Sequence, residues 1–408
     1  MTWSLERAED HLLSLELFGM RFGLERMRRL LTALGSPQRR FAAVHVVGTN
    51  GKSSTVRMTA ALLEANGVRT GAYLSPHLVS FAERIRIAGE DLAPDAFGAA
   101  VQRAAAAAEK VDRTLAGGER VTQFELLTAA ALDELARQEV EVAVVEAGLG
   151  GRWDATNVLD AGVAVLTNVG LEHTRWLGPT VADIAREKLA VVKRSHPPAT
   201  LVLGEADAEV AALAAETGAA IVRPAELDVP LRGYQRTNFL AAAAAAQAHL
   251  RGRTLHSIAE VATAVRVPGR LQQVGEHPLT ILDGAHNPAG MAALVAGLGD
   301  VIGERPLVAV VSVLDDKDAA GMLRALLGHC AAVVFTASRH PRALPPATLG
   351  TLAGQLDGPP AELVEDPAAA LERARELAGA DGAVLATGSI YLVADLLGEP
   401  GRRKASAL

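Results

Sequence analysis

Short runs of consecutive apolar residues alternate along this chain with longer stretches in which apolar positions recur every three or four residues. The runs are VHVVG (44–48), TGAYLS (70–75), VEVAVVEAG (140–148), GVAVLTNVG (162–170), ATLVLG (199–204) and AAIVRP (219–224). Such runs predict strands buried on both faces, and the spacing between them predicts covering helices, as in a mostly parallel α/β sheet. Near residues 265–278 the text turns to VRVPGRLQQVGEHP, rich in proline, glycine and polar residues. A second alternating series follows: LTILDG (279–284), PLVAVVSV (306–313), AAVVFTAS (331–338), AELVED (361–366) and GAVLATGS (382–389). The expected organisation is therefore a large domain over 1–267, a linker over 268–278 and a smaller Rossmann-like α/β domain over 279–408.

The chain has 408 residues, 50% hydrophobic and 21% charged, enough apolar material for two cores and too little polar bias for disorder. No apolar run reaches the roughly 18 to 20 residues that a bilayer crossing requires. The opening MTWSLERAEDHLLSLELFGM puts acids where a signal peptide carries its basic and apolar regions, so a cytoplasmic location is expected. Cys330 is the one cysteine and cannot form an intrachain disulfide. A net charge of -7 offers no basic excess for a phosphate backbone, which argues against nucleic acid and for small-molecule substrates, with a monomer expected. Alanine-rich stretches favour helix and carry no function of their own.

The sharpest local signal is VHVVGTNGKSSTVRMTAALLEANG. An apolar strand runs into Gly48, Thr49, Asn50, Gly51, Lys52, Ser53 and Ser54, and a helical pattern starts at once. Two glycines permit a sharp turn whose N–H groups face an anion, the helix N-terminus adds partial positive charge, and Lys52 can reach β/γ-phosphates. Ser53 or Ser54 can hold Mg²⁺. Val46 stands where the commoner phosphate-loop spacing has its first glycine, so a plain serine-capped turn is the competing interpretation.

Other chemistry clusters at predicted strand ends, where open α/β sheets bind ligands. Glu146 directly follows VAVV, and an acid there needs a metal or a partner such as Arg152. His173 follows the next strand in GLEHTRWLG, either as a ligand or as an ordinary hydrogen-bonded loop residue. Ser75 also ends a strand. Lys188, in the helical AREKLAVV, cannot be told locally from a surface lysine. Asp283 and His286 open the second domain, with Asp283 placed where a ribose hydroxyl could be held. These residues alone describe an Mg-nucleotide protein with two α/β domains.

Taken together, the motifs GLERM, GTNGKSS, SPHL, FAERIRI, TQFELLT, EAGLGGRWDATN, LEHT, IAREK, PGR, DGAHNP, DDKD and TGSIYLVADLL resemble the folylpolyglutamate synthase and dihydrofolate synthase family, the folate branch of the Mur-type amide ligases. The resemblance runs nearly end to end. It implies a P-loop-type ATPase domain and an enzyme that uses ATP to join L-glutamate to a pterin carboxylate through an acyl phosphate.

The same resemblance implies a set of site residues. Lys52 and its loop, Gly48 to Ser54, would hold the ATP phosphates. Ser75, Glu146 and His173 would hold Mg²⁺ with the loop serine, and a carbamylated Lys188 would ligate a second Mg²⁺. A monovalent cation is a further candidate ligand. Lys52, Lys188 and His173 would be the catalytic residues. Asn238 would contact adenine, and Arg270, Asp283 and His286 would complete the nucleotide site. Gly23, Leu24, Thr122, Phe124, Trp153, Asp154 and Ala155 would bind the pterin. The chain departs from the usual pattern in reading GKSS for GKGS, Glu172 for aspartate, and Leu189-Ala190 after Glu187-Lys188. Two alternatives stand beside this one: another Mur-type amino-acid ligase acting on a cell-wall precursor, and a non-catalytic nucleotide-dependent switch.

Overall fold

The computed structural model describes residues 2–15, 23–193 and 199–398. It divides into two compact units. The first comprises the described residues up to Pro230 together with Thr237–Val265, and the second comprises Leu231–Arg236 and the described residues from Arg266 onward.

In the first unit the strands are β1 (Ala42–Val47), β2 (Thr70–Tyr73), β3 (Ile85–Ile87), β4 (Glu90–Asp91), β5 (Val142–Glu146), β6 (Val163–Leu166), β7 (Thr200–Leu203) and β8 (Ala220–Val222). They form one sheet in the order β4-β3-β2-β5-β1-β6-β7-β8. All pairings are parallel except those of the short β3 and β4. Central strands β1, β5 and β6 are apolar and buried through almost their whole length, as parallel strands covered on both faces must be. Because β5 and β6 flank β1, the loops that leave these three strands emerge side by side.

The covering helices include α1 (Leu5–Ser14), α2 (Glu25–Ala33), α3 (Lys52–Ala65), α4 (Pro94–Asp112), α5 (Gln123–Arg137), α6 (Thr174–Leu177) and α7 (Val181–Leu189). Helix α4 buries Ala100, Ala104, Ala107, Ala108 and Val111 at helical spacing, and α5 buries Ala129 to Ala131. Small side chains here allow two helices to pack closely, which is where part of the alanine content is spent. At the far edge β8 exposes all three of its residues, with Ile221 at 40% and Val222 at 37%.

The second unit holds β9 (Gln272–Glu276), β10 (Leu279–Leu282), β11 (Leu307–Val311), β12 (Ala332–Phe335), β13 (Ala361–Leu363) and β14 (Ala383–Thr387), in the order β13-β12-β11-β14-β10-β9. Only β9 is antiparallel. The stretch 268–278, expected as linker, thus supplies a strand of the second sheet, and the contacts of 231–236 also lie with this unit. No described helix is long and apolar enough to cross a membrane.

Candidate active site

Strand β1 delivers the chain to Gly48, whose φ of 152° suits only glycine, and a Cβ there would collide with Thr167 Oγ1. Gly51, at φ 83°, caps α3 and lies against Asn238 Oδ1 in the same way. The loop is fastened by residues that follow β6: Thr167 Oγ1 donates to Asn50 O at 2.6 Å, Asn50 N to Asn168 Oδ1 at 2.9 Å, and Thr49 N to Asn168 O at 3.0 Å. Thr167 and Asn168 carry no motif, so the sequence offered no signal for this latch. Helix α3 then points its unpaired N-terminal N–H groups at the loop, the arrangement that binds phosphate. Lys52 Nζ curls back to the carbonyls of Gly48, at 3.0 Å, and Thr49, at 3.1 Å. Asn238 is 6% exposed and its Nδ2 is buried without a hydrogen-bond partner, a donor facing the loop's own neighbourhood.

Glu146 ends β5 and is 1% exposed. One carboxylate oxygen accepts Ser53 Oγ at 3.0 Å and the other accepts Ser75 N at 3.0 Å. Of the two loop serines, the structure therefore brings Ser53 to the acid, whereas Ser54 is buried at 2% exposure. Arg152, a possible partner for Glu146, pairs instead with Glu187 at 2.9 Å.

Lys188 is 1% exposed, so the surface-lysine alternative fails. Its Nζ donates to Gly48 O at 2.9 Å and to Glu172 Oε1 at 2.6 Å, which joins α7 to the phosphate loop. Burial pushes the Lys188 ammonium down to about 8 and nearby Lys52 adds to this, while Glu172 opposes it. Burial alone would raise the Glu172 carboxyl, but Lys188 and Lys52 outweigh it and hold Glu172 below the usual range. His173 caps α6 in the left-handed region, at φ 46°, with its side chain exposed.

The donors around the loop are a hydroxyl, buried carboxylates and main-chain carbonyls, the hard oxygen set that suits a divalent cation such as Mg²⁺. No three His, Cys, Asp or Glu side chains converge on one point among the described residues. A cation held here would complete its shell with phosphate oxygens and water, as Mg²⁺ ordinarily does.

Three further segments pack around α5. Thr122 caps α5 through a reciprocal bond set with Glu125, the capping box that T-x-x-E announces. Arg26 Nε donates to both Glu125 oxygens at 3.2 Å, which ties the segment containing Gly23 and Leu24 to α5. Phe124 packs against Gly148, where a Cβ would lie 2.5 Å from its ring. Asp154 and Ala155 are buried at 6% exposure, whereas the Trp153 side chain is 45% exposed.

Asp283 directly follows β10 in the second unit and is 1% exposed. Its oxygens accept Leu271 N at 2.8 Å, Ala285 N at 2.9 Å and the Tyr234 hydroxyl. An acid expected to meet a ribose is thus engaged by three protein donors. Burial raises its carboxyl, with Arg270 opposing. Arg270 Nη1 lies where a Cβ on Gly284 would come within 2.7 Å, and His286 Nδ1 is 2.9 Å from Gly284 O. Tyr234 was not anticipated, because a tyrosine at a helix start carries no sequence signature.

Comparison with known proteins bears on this geometry. The Mur ligase middle domain matches residues 46–270, and the Mur ligase glutamate ligase domain matches 269–390. The dihydrofolate synthase/folylpolyglutamate synthase of Mycobacterium tuberculosis is 37% identical over 381 residues, covering 82% of this chain and 78% of the relative. The structure of Mycobacterium tuberculosis folylpolyglutamate synthase complexed with ADP superposes with a TM-score of 0.89 at 33% identity, covering 96% of this chain and 97% of the other. E. coli FolC in complex with DHPP and ADP gives 0.85 at 30% identity, covering 97% of each. The chain belongs to the dihydrofolate synthase/folylpolyglutamate synthase family of Mur ligases, and it is an ATP-dependent amide ligase.

Proposed function

We propose that this ligase joins L-glutamate to a pterin carboxylate, converting dihydropteroate to dihydrofolate and also adding γ-linked glutamate to reduced folates. One observation carries the reading: Glu146, bonded to the phosphate loop through Ser53, lies two residues before the 148–155 segment that packs on Phe124. On this reading, a carboxylate held by that segment would lie near the γ-phosphate of a nucleotide held by the loop.

A substrate carboxylate oxygen attacks the γ-phosphorus of ATP, the bond to the β-phosphate oxygen breaks, and ADP leaves. The resulting acyl phosphate is attacked at carbon by the free amino group of L-glutamate. Collapse of the tetrahedral intermediate expels phosphate, and the amine loses its proton as the amide forms. No enzyme nucleophile is needed. Lys52 places a point charge beside the β/γ-phosphates, and the N-terminus of α3 adds its dipole. Ser53, Ser75, Glu146, His173 and a carbamylated Lys188 are the residues that would hold two Mg²⁺ ions, which supply charge neutralisation for the moving phosphoryl group. Lys188 suits carbamylation because its depressed basicity leaves free amine near neutral pH for attack on CO₂, with loss of a proton. Asn238 and, in the second unit, Arg270, Asp283 and His286 are read as nucleotide-side residues, and Gly23, Leu24, Thr122, Phe124 and Trp153 to Ala155 as pterin-side residues.

Release of ADP is measured with dihydropteroate or tetrahydrofolate, each with ATP and L-glutamate. Turnover of both is expected, and Lys52→Ala should abolish it. Turnover of one substrate would leave a monofunctional enzyme, and turnover of neither would favour a ligase for cell-wall precursors.

A further inference from the structure

The strand that feeds the phosphate loop carries a histidine that the proposed chemistry does not use. His45 lies in β1, three residues before Gly48, and is 0% exposed. Its Nε2 is 2.8 Å from Thr156 Oγ1. The Thr156 hydroxyl in turn donates to Asp154 Oδ1, and the Asp154 carboxylate also accepts Leu149 N at 2.8 Å and Thr156 N at 3.0 Å.

Burial raises the Asp154 carboxyl while its hydrogen bonds oppose this, and with Asp154 ionised the bonds set the direction of the chain of protons. Thr156 has a single hydroxyl proton, and Asp154 takes it. The Thr156 oxygen is left as acceptor toward His45, so the imidazole donates from Nε2–H. His45 Nδ1 is then unprotonated, and it is buried without a hydrogen-bond partner. A valine, like Val44 and Val46 on either side, would spare the strand that orphaned nitrogen. The histidine therefore costs the fold more than an apolar residue would, and what it gains is the bond to Thr156.

We propose that His45 is a positioning residue for the pterin-side loop: through Thr156 it orients the Asp154 carboxylate, and with it the turn from Leu149 to Asp154, on the strand that ends in the phosphate loop. The inference rests on the reading of 148–155 as pterin-binding. Two further fasteners of this segment reach it from elsewhere: Arg152 pairs with Glu187 through both its side chain and its main-chain N–H, and Lys193 Nζ donates to Asn157 O at 3.0 Å. His45 alone among these ties the loop to β1, and so sets where a bound pterin carboxylate stands relative to the phosphates.

The test compares wild type with His45→Ala, His45→Gln, Thr156→Val and the double variant His45→Ala/Thr156→Val. Steady-state kinetics should show KM for dihydropteroate rising about 3- to 10-fold in both broken relays, the size of one lost hydrogen bond. KM for ATP should stay within about twofold, because the phosphate loop keeps its own latch. The double variant should be no worse than the poorer single one, and His45→Gln, whose amide can donate at similar reach, should recover most of the loss. Additive effects, an equal rise in both KM values, or no change would overturn the relay. Two measurements on unliganded protein keep the question separate from substrate identity. Nitrogen-15 NMR should show His45 protonated at Nε2, and amide exchange at Leu149 should quicken in Thr156→Val. A proton on Nδ1, or unchanged exchange, overturns the proposal even if dihydropteroate is turned over. A wild type inactive on pterins would refute the functional reading and leave these two measurements to decide the relay.

Discussion

Ser53 Oγ donates to Glu146 Oε1 at 3.0 Å, and this bond joins the first turn of α3 to the carboxyl end of β5. A serine at this point gives the acid a partner inside the phosphate loop itself. Glu146→Gln should therefore lower ligation by more than about 100-fold, since it removes the charge proposed to hold a divalent cation beside the phosphate loop. It should also raise the divalent cation concentration at half-maximal activity. Mg²⁺ titration of ADP release checks this, and superimposable curves for the two proteins would remove Glu146 from the cation site.

Lys188→Ala should be almost inactive and partly restored by acetate or formate, which can occupy the place of a carbamate. The prediction follows from a lysine that is 1% exposed and bonded to Gly48 O rather than to solvent. Full activity without any added carboxylate would sink it.

A pH effect on stability follows from His45. Burial, reinforced by Lys193, pushes its imidazole down to about 3 from the ordinary 6.5. Between those values the unfolded chain binds a proton that the folded chain refuses. Stability thus falls as pH drops below 6.5, by at most about 1.4 kcal/mol per pH unit, and this contribution is constant at higher pH. Urea unfolding at pH 7 and pH 5 should show wild type losing stability relative to His45→Gln on acidification. Equal losses in the two proteins would mean that the imidazole titrates alike in both states.

In the second unit, Tyr234→Phe should lower stability by about 1–3 kcal/mol, because the buried Asp283 loses one of its donors. Thermal unfolding is the readout, and an unchanged Tm would show that Leu271 N and Ala285 N suffice.

Every apolar run singled out in the sequence became a strand: the inner ones are apolar because both faces are covered, whereas AAIVRP and AELVED, expected to be buried, became the exposed edge strands β8 and β13. Strands β3, β4 and β9 escaped notice because they are short or polar: β4 is two exposed residues, and β9 reads QQVGE with no buried residue. The phosphate loop was legible since its chemistry is local. Lys188 was not, because its burial depends on Gly48 and Glu172, 140 and 16 residues away. Arg26 and Glu125 are 99 residues apart and had no shared signature. Glu146 was legible as an acid in need of a partner, but its choice of Ser53 and Ser75 over Arg152 depends on where two other strands end.

Strand β8 pairs only with β7, so among the described residues one row of its main-chain groups faces no neighbouring strand. That row is flanked by the half-exposed side chains of Ile221 and Val222. An open, apolar edge of this kind is a template on which a second molecule can lay a strand, and proteins commonly blunt such edges with charge or proline. Here the defence is brevity, together with Arg223 and Pro224 directly after the strand. Ile221→Lys would put a charge on this edge without touching the phosphate loop, and any strand pairing between two molecules through it should weaken accordingly.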